Sequence, residues 1–313
     1  MYRKNYLKYK KTSAKKVDVY QEITDKVIEQ LESGNAIWKK SWQGTSSLPF
    51  NVISKKKYSG INILLLTMFN NYSDPRWLSF KQAKDLGGKV IKGEKGTRIV
   101  WSGRMKKSDS EIQTIKNNNP DKELTEYQLT YWTQKFHTVF NVEQCEGLKL
   151  PELKIVKKSE FEILEEAQKI VDGMPNRPEI NHDGNDRAFY NSASDSIHLP
   201  KQEAFDSNHE YYSTLFHELG HSTGHNSRLD REFEKANYHS DTSVRSREEL
   251  TAEFTAMFIG GHCAIDNATM DNSTAYINSW ASFIKKDKEA VLKCATEARK
   301  ASKYILNESE ETK

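Results

Sequence analysis

The chain has 313 residues, with 47 Lys and Arg against 44 Asp and Glu, a formal charge of +3, three cysteines and a mean hydropathy of −0.80. Residues 1–150 carry 27 basic and 15 acidic side chains, or +12, whereas residues 151–313 carry 20 and 29, or −9. No stretch approaches the roughly 18 apolar residues of a membrane span, and Cys145, Cys263 and Cys294 are too few and too scattered for a disulfide framework.

The basic N-terminus lacks the apolar run of a secretory signal, so a cytoplasmic protein without a membrane partner is expected. Residues 1–16 read as a flexible basic arm. Val19, Ile23, Val27, Ile28 and Leu31 recur at helical spacing, predicting a helix over 18–31 closed by Ser33-Gly34. Helices are also expected over 62–72 and 79–86. Residues 89–91 and 97–101 read as two strands of a hairpin around Lys92-Gly93-Glu94-Lys95-Gly96. Residues 104–126 read as a mobile polar insertion, followed by strands over 127–132 and 135–141. The change in charge falls at an exit near 151, so the expected division is a first domain over 17–151, a linker over 152–158, a second domain over 159–306 and an acidic tail over 307–313. In the second domain, helices are expected over 159–172, 208–223 and 247–260, short strands over 188–190 and 196–199, and one long helical tract over 273–306.

The densest chemical signal is His217-Glu218-Leu219-Gly220-His221. Residues four apart lie one above the other on a helix, so both imidazoles can meet a single cation while Glu218 reaches a water beside it. A catalytic site needs a third protein ligand. A third histidine is expected at 227 in the extended motif, but that residue is Ser227; His225 is the weaker choice, a polar residue past the helix end. Glu249 and Glu253 lie one helical turn apart, so one can bind the metal while the other accepts from the outer nitrogen of a ligating histidine. Glu249 is assigned to the metal and Glu253 to support, with the reverse open and Glu248 a solvated third choice. Zinc is the expected ion, with Mn2+ or another divalent ion also compatible. Glu218 is the candidate general base, and hydrolysis of a protein or peptide substrate the expected reaction. A tyrosine from Tyr211-Tyr212, or His198, is a weaker candidate for steadying an oxyanion.

Five of the six tryptophans lie in the basic half. Lysines that track phosphates and rings that stack on unpaired bases suit single-stranded DNA read with little sequence preference. The candidates are Trp38, Lys39, Lys40, Trp42, Lys55, Lys56, Lys57, Tyr58, Arg76, Trp77, Lys92, Lys95 and Arg98, with Trp101 to Lys107 a further run of the same character. For each tryptophan taken alone, a place in the core is the competing explanation.

These residues resemble a known family. Asp18-Val19-Tyr20-Gln21-Glu22-Ile23-Thr24, Tyr58-Ser59-Gly60-Ile61-Asn62, Trp77-Leu78-Ser79-Phe80-Lys81-Gln82-Ala83, the 92–96 turn and Phe140-Asn141-Val142-Glu143-Gln144 are similar to the N-terminal domain of ArdC-type antirestriction proteins. Residues 214–225, Arg228-Leu229 and Glu248-Glu249-Leu250-Thr251-Ala252-Glu253 resemble the zincin-like metallopeptidase domain fused to it. The resemblance spans about residues 17–300. It implies an α+β chain with an N-terminal single-stranded-DNA-binding domain, then a zincin-like domain of helices on a small antiparallel sheet. It also implies carriage on a mobile genetic element and protection of incoming DNA from restriction. The reading from another class is a non-enzymatic DNA-binding protein whose metal domain is structural or binds a partner.

Overall fold

The computed structural model describes residues 18–33, 48–67, 69–70, 72–120, 123–153, 158–184, 186–231, 241–266 and 274–308. The 1–16 arm, Trp38, Lys39, Lys40, Trp42, most of the 152–158 linker and the end of the acidic tail lie outside them. Helix α1 (Val19–Glu32) begins where the Asp18 carboxylate accepts from the Tyr20 and Gln21 amides, and it buries Val19, Ile23, Val27 and Leu31 as the spacing requires. After β1 (Phe50–Asn51), α2 (Ile61–Thr67), β2 (Arg76–Leu78), α3 (Phe80–Asp85) and β3 (Lys89–Val90) come β4 (Thr97–Lys106), α4 (Asp109–Asn117), α5 (Glu126–Leu129), β5 (Thr130–Asn141) and β6 (Cys145–Glu146). The main sheet has the order β1-β2-β5-β4, with β1 parallel to β2 and the other pairs antiparallel.

Several expectations are corrected here. The strands flanking the 92–96 turn do not pair with each other: β3 pairs with β6, and β4 pairs with β5 along its whole length, from Thr97↔Val139 to Lys106↔Thr130. A long ladder satisfies far more backbone groups than the short hairpin. The expected mobile insertion begins too early, because β4 runs to Lys106 and the connection is organised as α4 and α5. Both helices start on reciprocal capping boxes, Ser108 with Glu111 and Thr125 with Gln128. The two expected strands at 127–132 and 135–141 are one, with Tyr127 in α5. Helix α2 stops at Thr67, short of Tyr72.

The second half contains α6 (Glu160–Gly173), β7 (Glu179–Asn181), β8 (Phe189–Asn191), β9 (Ser196–His198), α7 (Asn208–Ser222), α8 (Thr242–Cys263), α9 (Thr274–Lys286) and α10 (Ala290–Ile305). Its sheet has the order β7-β9-β8; β8 is antiparallel to β9 as expected, and β7 adds a parallel edge. The long C-terminal tract breaks into α9 and α10 where the Asp287 carboxylate accepts from the Glu289 amide at 2.9 Å.

The main core crosses the change in charge. Val19, Ile23, Val27 and Leu31 of α1 share one buried cluster with Phe216, Phe254, Trp280, Val291 and Ala298 of the second half. Thr24 donates to the Lys288 carbonyl at 2.7 Å, and Glu32 pairs with Lys285 at 2.6 Å. No helix among the described residues is long and apolar enough to cross a membrane.

Candidate metal centre and basic surface

Helix α7 carries His217, Glu218 and His221, while α8 supplies Glu248, Glu249 and Glu253. They are held together because Phe216 and Leu219 on α7 and Leu250, Phe254 and Phe258 on α8 are buried in the common core. Burial of such a side chain contributes about 1.5–3 kcal/mol. The helices approach closely at Gly220, where a Cβ would lie 3.2 Å from the Ala252 Cα and from the Thr255 Cβ.

His217 Nε2 and His221 Nε2 face each other at 3.0 Å, and a Glu249 carboxylate oxygen lies 3.6 Å from each. One ligand atom from each of the three residues falls within 4.8 Å of the others. Behind this triad, the Nδ1 of each histidine has its own carboxylate. Glu253 is 2.7 Å from His217 Nδ1, close though poorly aligned for a hydrogen bond, and Glu248 is 3.3 Å from His221 Nδ1.

Glu248 therefore corrects the expectation of a solvated side chain: it is 4% exposed and receives Arg231 Nε at 3.1 Å and an Arg231 terminal nitrogen at 2.5 Å. Arg231 also donates to Thr223 Oγ1 at 2.5 Å and to the Gly220 carbonyl at 2.8 Å, tying the end of α7 to α8. Sequence reasoning missed this arginine, because nothing local links it to a glutamate seventeen residues later.

The electrostatics fit a cation. Glu218, Glu248 and Glu253 are buried and Glu249 nearly so, and among the described residues Arg231 pairs with Glu248 alone of these four. Burial pulls the His217 and His221 pKa values down, but the surrounding carboxylates outweigh it and hold His217 well above its usual value and His221 at about 9. Burial raises Glu253, whereas Glu249, despite burial, is held far below the usual carboxylate range by the two imidazoles. Clustered carboxylates around two facing imidazoles are a donor set that a divalent ion would satisfy.

The weaker candidates are engaged elsewhere. His225 Nδ1 lies 2.8 Å from Ser227 Oγ. His198 contacts Asp183 at 2.6 Å and stacks on Phe189. The Tyr211 hydroxyl, pushed up to about 12 by burial, meets His182, and Tyr212 donates to Gln168.

Of the basic and aromatic candidates, Lys55, Lys56, Lys57, Lys92 and Lys95 are exposed and Tyr58 is half-buried. Arg98 pairs with Glu22 at 3.1 Å. Arg76 is gripped by Asp74 and donates to the Pro151 carbonyl, so its guanidinium braces the domain exit. Trp77 is 1% exposed and packs with Leu66, Ile99 and Val139, which removes it as a stacking residue.

The two halves and the His217–His221–Glu249 cluster define a class, a basic α+β domain joined to a zincin-like metallopeptidase domain. Residues 165–297 match a family model of zincin-like metallopeptidases, and residues 17–140 match the N-terminal domain of the anti-restriction factor ArdC. The chain belongs to the ArdC-type antirestriction family. The structure of the antirestriction protein ArdC from plasmid R388, solved metal-free, is similar with a TM-score of 0.70 and 32% identity over 92% of this chain and 97% of that one. Its Mn(II)-bound structure gives 0.69 and 32% over 95% and 100%. A DNA primase TraC of Escherichia coli is 36% identical over 294 residues, 92% of this chain but only 27% of that protein; for a second TraC the chain spans 20%. Protein y4eC of Sinorhizobium fredii is 26% identical across 91% of its length.

Proposed function

We propose that this is an antirestriction protein of a mobile genetic element that acts in the cytoplasm, binds single-stranded DNA with little sequence preference, and hydrolyses a peptide bond at a metal centre. The observation that carries the reading is the convergence of His217, His221 and Glu249 beside an intact, buried Glu218. The three would hold a divalent ion, zinc by the chemistry of a two-histidine, one-carboxylate site or manganese as in the Mn(II)-bound ArdC structure.

When bound, such an ion lowers the barrier to ionising water and polarises a carbonyl. Glu253 and Glu248 hold the imidazoles with their Nε2 atoms turned inward. Glu218 accepts the proton of the attacking water and returns it to the leaving amine. A purely structural site has no need of that carboxylate, which favours hydrolysis over a passive metal domain.

The test is Glu218→Ala, measured for metal content, peptide cleavage and protection of incoming DNA from restriction. The expected result is retained metal with cleavage reduced by about 10²–10⁴-fold and protection impaired. Retained metal with full protection would reassign the protein as a non-enzymatic DNA-binding factor.

A further inference from the structure

The β4–β5 ribbon extends past the packed part of its sheet and carries charge of one sign. Residues 97–107 and 130–141 contain Arg98, Arg104, Lys106, Lys107 and Lys135 and no Asp or Glu. At its base the ribbon is core: Ile99 and Val139 pack with Leu66 and Trp77, in a cluster that Tyr58 also lines. Two residues further along β4 the same face opens to solvent.

Residues directly opposite in an antiparallel ladder share a face. Trp101 is opposite Lys135, Gly103 opposite Thr133, and Met105 opposite Tyr131, so these alternate positions form one surface. Trp101 is 38% and Tyr131 43% exposed, and Lys135 is exposed. A Cβ on Gly103 would meet the Trp101 indole at 2.7 Å, so glycine there lets the ring lie back along the strand with its other side facing outward. On the opposite face Arg104 is stacked 3.9 Å from the Tyr127 ring centroid and donates to Thr130 Oγ1, which closes the ribbon tip; Trp132 lies beside it at 58% exposure.

We propose that the Trp101–Lys135–Tyr131 face of this ribbon is the stacking platform for single-stranded DNA. The inference rests on the single-strand reading above and assigns it a place. The exposed indole and the phenol ring take unpaired bases, while Lys135, directly across from Trp101, meets a backbone phosphate beside the indole. Neither strand carries a carboxylate, and the acidic side chains that pair with the ribbon among the described residues, Glu22 with Arg98 and Asp109 with Lys106, engage positions that alternate onto the other face. The polyanion therefore meets little repulsion beside Trp101 and Lys135. Duplex DNA, whose bases are already stacked on one another, gains nothing from the two rings.

The test is fluorescence anisotropy of a labelled oligothymidylate with the full chain at low salt, against a duplex of equal length. Trp101→Ala and Tyr131→Ala should each weaken binding by about tenfold and erode the preference over duplex, with Trp101→Phe restoring most of it. Lys135→Ala should lower the salt slope by about one. Trp132→Ala, on the other face, should bind as the parent does. Binding unchanged in both aromatic variants, or lost only in Trp132→Ala, overturns the platform and leaves single-strand binding standing. A parent protein that ignores the oligothymidylate overturns both.

Discussion

Glu248, Glu249 and Glu253 are three carboxylates of one type within two turns, and their surroundings give them different work. Helical spacing was enough to single out Glu249 and Glu253, because residues four apart share a face. It misplaced Glu248, whose burial depends on Arg231, a residue that only the folded chain brings to it. Trp77 shows the same limit: beside Arg76 it reads as a basic, aromatic contact, yet its ring fills the cluster under β4. The difference between Glu248 and Glu253 is measurable. Glu248→Ala removes a buried carboxylate that Arg231 grips, so it should cost about 3–5 kcal/mol of stability as well as weakening metal about 10–100-fold. Glu253→Gln, whose carboxyl is already pushed toward its neutral form by burial, should weaken metal over a similar range without that loss of stability. Thermal unfolding of the metal-free variants, paired with metal titration, separates the two; equal melting temperatures would contradict the Arg231 assignment.

At the scale of elements, the strongly periodic helices were legible. Helices α1, α6 and α7 lie close to their expected bounds because apolar positions, Asp18, Ser159 and Ser207 caps and glycines agree with one another. Strand partners were not, since local alternation says that a segment is a strand without saying what it pairs with. That is why β3 and β4 read as a hairpin when each finds its partner beyond residue 129. The capping boxes at Ser108 and Thr125 were present as signals inside a stretch whose polarity masked them. The α7–α8 contact makes its own prediction. Gly220 stands inside the metal motif, and its backbone meets Ala252 and Thr255 of α8. Gly220→Val should push the helices apart, costing about 1–3 kcal/mol and weakening metal although no ligand has changed. A variant with parental melting temperature and metal affinity would show that the approach is not tight.

Across the whole molecule, the split of the formal charge into +12 and −9 marks a change of task along the chain rather than a break in packing. The apolar stripe of α1 announced that the helix is buried but could not name its neighbours, and they prove to be α9 and α10 of the acidic half. A basic surface and a metal-binding cluster therefore stand on one continuous core. Part of the excess negative charge of the second half is gathered at Glu218, Glu248, Glu249 and Glu253, with Arg231 offsetting one of the four. The most direct measurement is anomalous scattering from crystals of the full chain grown with zinc or manganese. The account predicts one strong peak bounded by His217 Nε2, His221 Nε2 and the Glu249 carboxylate, lost in His221→Ala. A peak held by Glu253 in place of Glu249, or none at this site in metal-replete crystals, would contradict it.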